Sequence, residues 1–118
     1  MIHTILNCGN HHQLYRITAE YNNAVTAVSL AGFCAEEQTE NILFRHLQNM
    51  CVQSDGSLGS THVLLCGMLQ QWQTTFNMPS TQVLKNVATV YPKEKLKSVC
   101  LYKTKAGGEE KLINRILL

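Results

Sequence analysis

Cysteine and histidine crowd the start of this chain, where Asn7-Cys8-Gly9-Asn10-His11-His12 sets one thiol three and four residues from two imidazoles. A thiolate beside an imidazolium is a competent nucleophile, because the ring takes the proton and its charge lowers the thiol pKa. Cys8 with His11 or His12 is therefore the candidate catalytic set. A phosphatase-type CxxxxxR loop is excluded, since Leu14 stands where the arginine would be needed. No third group that would orient the base can be identified along the chain.

Metal chemistry has a second candidate. His62 precedes Cys66 by four residues, one helical turn, and imidazole with thiolate suits zinc. Structural zinc sites are built from two short-spaced ligand pairs, and the five cysteines contain no CxxC pair. No metal and no cofactor are expected. Glu36, Glu37 and Glu40 fall where a helix should begin, so they favour its dipole and do not form an acid–base pair. Gly107-Gly108 reads as a turn, and no phosphate-binding fingerprint is present.

Basic residues are the other chemically suggestive group. All seven lysines lie at or beyond Lys85. Residues 1–77 hold two basic against five acidic side chains, a net −3, whereas residues 78–118 hold eight against three, a net +5. Lys93, Lys95 and Lys97 alternate, so an extended backbone projects them to one side at about 7 Å intervals, near the phosphate spacing of a nucleic-acid strand. Lys103 and Lys105 continue the charge, and Tyr91 and Tyr102 offer stacking faces. Lys93, Lys95, Lys97, Lys103, Lys105 and Tyr102 are thus the candidate residues for binding a partner or nucleic acid. Two facts weigh against base readout: the cluster has no arginine, and the pI is about 8.3. Lysine on an exposed strand also guards a sheet edge against aggregation.

The elements that would position these groups follow from periodicity. Tyr15, Ile17, Ala19 and Tyr21 alternate with Arg16, Thr18 and Glu20, the pattern of a half-buried strand. A turn at Asn22-Asn23 leads into a second apolar strand over Ala24–Phe33. Residues 2–7 add a third through the Gly9-Asn10 turn, making an N-terminal meander. After Gly32 the period changes. A helix opens near Ala35 with Leu43, Leu47, Met50 and Cys51 on one face. Residues 54–60 read as a loop, and Ser60 or Thr61 caps a second helix carrying Leu65, Leu69, Trp72 and Phe76. For part of that segment, His62–Leu69, a buried strand is the rival reading. Ser80 or Thr81 caps a third helix with the stripe Leu84, Val87, Ala88 and Tyr91, ended by Pro92. Leu96–Thr104 is a strand. Beyond the Gly107-Gly108 turn, Leu112, Ile113, Ile116 and Leu117 sit at helical spacing, with a hairpin strand as the alternative.

The chain of 118 residues, 45% apolar and 15% charged with two prolines, has the composition of one packed domain over 1–118. The fold expected is α+β, an antiparallel sheet of three to five strands covered on one face by two to four helices. Four of the five cysteines lie in apolar contexts, which predicts reduced thiols, no intramolecular disulfide and a cytoplasmic, soluble protein. No run is long and apolar enough to span a membrane. Without a convincing catalytic set, the expected function is a small non-enzymatic interaction module that binds a protein partner or itself as a dimer. Trp72, Phe76, Phe33, Phe44 and the C-terminal leucine pair are the apolar groups from which an interface stripe would come. The competing readings are a nucleic-acid-binding regulator using the lysine-rich third and a small Cys/His enzyme using Cys8.

Overall fold

Alternation in the N-terminal third becomes a strand. The computed structural model describes residues 8–9, 12–22, 27–105 and 107–118. Within it, β1 (Gln13–Tyr21) buries Tyr15, Ile17 and Ala19 and pairs antiparallel with β2 (Val28–Ala35). The strand expected over 2–7 lies outside the described residues, as do Asn10, His11, Asn23, positions 24–26 and Ala106. β2 runs two residues past the expected end, to Ala35.

The first long helix forms as its apolar spacing requires. A 3₁₀ turn at Glu37–Thr39 leads into α1 (Glu40–Gln53), which buries Leu43, Leu47, Met50 and Cys51. α2 (Leu58–Thr75) buries Leu65, Leu69 and Trp72 on one face, which settles the strand-or-helix alternative there. Its cap differs from expectation: the Ser57 hydroxyl, not Ser60 or Thr61, accepts from the Ser60 N–H at 3.2 Å. The reason is tertiary. Leu58 N–H donates to the Glu94 carbonyl at 2.7 Å and Leu96 N–H to the Gly56 carbonyl at 2.9 Å, so residues 56–58 are held against the strand entry and the helix starts early. Thr61 is buried inside the first turn. Gly59 is required there, because a Cβ would stand 2.7 Å from the Pro92 Cα.

The expected third helix is corrected. Ser80–Val83 forms β3, paired antiparallel with Ala31–Cys34 of β2, and only Val87–Val90 is helical, as α3. Thr81, Val83, Val87, Thr89 and Val90 are β-branched and poor helix formers. An apolar stripe seen locally could not compete with pairing to the buried backbone of β2.

Leu96–Thr104 is β4, with the expected bounds, and the terminal segment is the hairpin strand β5 (Glu110–Leu117). Gly107 and Gly108 both take positive φ, at 97° and 87°, to make that turn. The sheet order is β3-β2-β1-β4-β5, every neighbouring pair antiparallel. The helices pack on the sheet through one cluster that joins Tyr15, Ile17, Leu30 and Phe33 to Leu43, Leu47, Leu58, Leu65, Leu69 and Trp72. The α+β architecture is the one expected.

The thiol expectation is overturned. Cys8 and Cys34 form a disulfide, with Cα atoms 5.2 Å apart, while Cys51, Cys66 and Cys100 are free. Spacing alone does not reveal it, because the pairing depends on residues 26 positions apart being brought together by the start of β1 and the end of β2.

Candidate functional site

Cys8 enters the bridge to Cys34, so it has no thiol to ionise, and the nucleophile reading loses its reactive atom. His11 lies outside the described residues, and His12 is half-buried just before β1. The alternative pair, His62 and Cys66, does meet on one face of α2, with Cys66 Sγ 3.8 Å from His62 Nε2. That nitrogen is also 2.6 Å from the Leu84 carbonyl oxygen. A carbonyl only accepts, so Nε2 carries the proton and donates it to Leu84. It cannot take one from Cys66. The remaining lone pair, on Nδ1, is buried without a hydrogen-bond partner. Burial pushes the Cys66 thiol above its ordinary value, opposing thiolate formation. Among the described residues no three metal-ligating side chains converge.

The lysines differ in how far they are engaged within the chain. Lys93 lies in a turn and Lys97 on β4, both exposed, and Lys95 Nζ donates to the Asp55 carbonyl at 3.3 Å. Lys105 is exposed at the final hairpin. Lys103 is committed internally: its ammonium is 3.1 Å from Glu37 and 3.7 Å from Glu40, and the hydrogen bond to Glu37 raises its pKa. Tyr15 hydroxyl donates to the same Glu40 at 2.9 Å, and burial followed by that carboxylate holds the phenol protonated well above its usual range. Strand alternation sends Tyr102 to the opposite side of the sheet from Lys103, because Tyr102 pairs with Arg16 and Lys103 with Tyr15.

Tyr102 belongs to a network on the sheet face turned away from α1 and α2. Arg16 Nε and Nη2 each donate to Glu110 at 2.7 Å, its third nitrogen reaches the Ser29 hydroxyl, and its guanidinium carbon lies 5.2 Å from the Tyr102 ring centre. The hydrogen bond to Glu110 raises the Arg16 pKa further. Glu20 accepts from Ser98 at 2.8 Å and lies 3.6 Å from Arg115, whose Nε donates to Cys100 Sγ at 3.3 Å. Both ion pairs run from β1 to β5 across β4, with the signs exchanged between them. This network therefore helps hold the terminal segment against β4 and leaves its charges mutually satisfied.

The helix face is different. α2 spans 18 residues without Asp, Glu, Lys or Arg, and none of these occurs anywhere between Asp55 and Lys85. Between α1 and α2 opens a groove of about 390 Å³ with Met50, Val63, Leu64 and Met68 as its apolar part. Its polar lining is neutral amide and imidazole, from Asn49, Gln53, Gln71 and His46, and Gly67 completes it. His46 Nδ1 accepts from the Trp72 indole at 3.1 Å, so its imidazole is held against the ring that anchors α2 in the core. The aromatic groups expected to supply an interface stripe are mostly internal: Trp72 and Phe33 are buried, Phe44 and Phe76 pack against the core, and only Leu117 and Leu118 are exposed. What sequence reading missed was the empty charge map over residues 56–84, which a running count of Asp, Glu, Lys and Arg would have found.

No protein-family model matches this chain, and no curated protein or solved structure is significantly similar to it.

Proposed function

We propose that this chain is a non-enzymatic interaction module whose contact surface is the α1/α2 helix face, and that its partner presents a neutral, largely apolar helix to the groove. The observation that carries this reading is the charge-free, solvent-facing side of α2, where Val63, Gly67, Gln70, Gln71 and Thr74 are all exposed. Monomer surfaces normally intersperse charges of both signs, whereas the centres of protein interfaces are depleted of Lys, Glu and Asp and enriched in groups such as methionine. A charged partner would lose hydration here and gain no opposite charge. A neutral helix loses nothing of the kind.

Two competing readings have less behind them. Nucleic-acid binding draws on a lysine set in which Lys103 is already paired to carboxylates and Lys95 donates to the Asp55 carbonyl. The Cys8 enzyme needs a thiol that the disulfide consumes. The cytoplasmic expectation also loses the reduced-thiol argument on which it rested. Among the described residues no helix is long and apolar enough to cross a membrane.

Site-specific photocrosslinking tests the proposal. p-Benzoylphenylalanine in place of Gln71, on α2, should give a discrete adduct that maps to a neutral helix, and adding Val63→Lys should abolish it. The same probe in place of Lys97, on β4, should give none. Equal labelling from both positions, or none from Gln71, would overturn the proposal.

A further inference from the structure

The partner can be named more closely. We infer that the helix presented to this face belongs to a second copy of the chain, packed antiparallel about a two-fold axis that passes beside Gly67; this rests on the helix face being the contact surface.

Gly67 is the first reason. It lies at the centre of α2, is exposed, and a Cβ built on it would meet nothing within 4 Å. A glycine in a helix interior is unfavourable relative to alanine. Gly59, the other glycine of α2, is explained inside the chain by its closeness to Pro92. Nothing among the described residues explains Gly67. The close approach of another helix at that point would.

Charge is the second reason. Across a two-fold axis each side chain near the axis faces its own copy, so a formal charge there meets a like charge. A surface built for a charged partner carries the opposite sign, whereas one built for itself near the axis must be neutral or internally balanced. α2 is neutral throughout its length. Its exposed polar groups are Gln70, Gln71, Gln73, Thr74 and Thr75, each able both to donate and to accept, so none of them needs a partner of opposite charge. With Gly67 on the axis, Val63 of one copy falls opposite Gln71 of the other. At 1.5 Å rise per residue the helix is about 27 Å long, so an interface of the standard roughly 800 Å² per partner would draw on α1 beside it.

Sedimentation equilibrium between about 1 and 500 µM decides the matter, a range that spans ordinary dimer affinities. The wild-type chain should dimerise, and Gly67→Leu should weaken the dimer by at least about tenfold without lowering the thermal midpoint at low concentration, because a Cβ at this position meets nothing within 4 Å. Val63→Glu alone should likewise give monomers, whereas Val63→Glu combined with Gln71→Lys should recover the dimer through two crossed ion pairs. A wild-type monomer at the highest concentration, or a dimer indifferent to both Gly67→Leu and Val63→Glu, would overturn the inference. If the wild type is monomeric while crosslinking from Gln71 still maps to a neutral helix of another protein, the second copy is ruled out and the interaction reading stands. If both measurements fail, both fall.

Discussion

On the sheet face four long charged side chains answer one another across β4, whereas on the helix face 18 consecutive residues of α2 carry no formal charge. The sheet charges are spent within the fold: Arg16 with Glu110 and Glu20 with Arg115 tie β1 to β5. The outward side of α2 does nothing comparable. Its inward stripe of Leu65, Leu69 and Trp72 supplies the packing, and Val63, Gly67, Gln70, Gln71 and Thr74 on its outward side are exposed. One face is thus explained by folding and the other is free to serve something beyond it.

The sharpest way to break this contrast is to compare neighbours on α2. Leu69→Ala should cost about 2–5 kcal/mol in denaturant melts of the monomer, as cavity-forming core changes do, while Gln70→Ala should stay within about 0.5 kcal/mol. Similar values for the two would mean that the helix is not divided into an inner and an outer side.

The Cys8–Cys34 bridge ties the residues just before β1 to the end of β2, and its loss measures how far the sheet depends on it. Closing a loop between residues 26 apart should contribute about 3 kcal/mol through the unfolded chain, so Cys8→Ser or added reductant should lower the denaturant midpoint accordingly. Alkylation of the denatured, unreduced protein should label only Cys51, Cys66 and Cys100. In the native protein at pH 8 Cys51 should resist labelling, since burial pushes its thiol up to about 11. Five labelled cysteines in the unreduced sample would remove the bridge.

The two glycines of α2 make a finer comparison. Gly59→Ala should destabilise by about 1–3 kcal/mol, because its Cβ collides with the backbone of Pro92. Gly67→Ala should stabilise the monomer by up to about 1 kcal/mol. Equal and unfavourable effects would place Gly67 under an internal constraint.

Two smaller effects concern the charged clusters. The folded-state pKa of Tyr15 is raised, so its contribution is fully present below about pH 10, the unfolded value, and is lost as pH rises above it. Between about pH 9 and pH 11 Tyr15→Phe should therefore lose about 1 kcal/mol less stability than the wild type, read from urea melts. An identical alkaline slope would show the phenol to be free to ionise. The Arg16–Glu110 pair is partly exposed on both sides, so a double-mutant cycle should give only about 0.5–1 kcal/mol of coupling, shrinking as salt is added. The same salt series should leave the Leu69 and Gln70 values unchanged, as a face without charge requires.

Local periodicity was a reliable guide wherever one face of an element meets the core. The alternation of Tyr15, Ile17 and Ala19, the spacing of Leu43 to Cys51 and of Leu65 to Trp72, and the bounds of Leu96–Thr104 all follow from side chains that must share a side. The capacity for an α+β fold, the two long helices and the charge-free tract over residues 56–84 are properties of the amino-acid order. What tertiary structure decided was every choice between local patterns of similar strength. Ser80–Val83 became a strand because β2 offered a buried backbone to pair with. Residues 110–117 became a strand because β4 lay alongside and Arg16 and Glu20 waited across it. Ser57 took the cap because the segment around Glu94 held the loop. Cys8 met Cys34 because β1 and β2 brought the two ends together. Each of these outcomes depends on contacts between distant residues, whose energies are absent from any short window of sequence, and so only the folded chain could select among them.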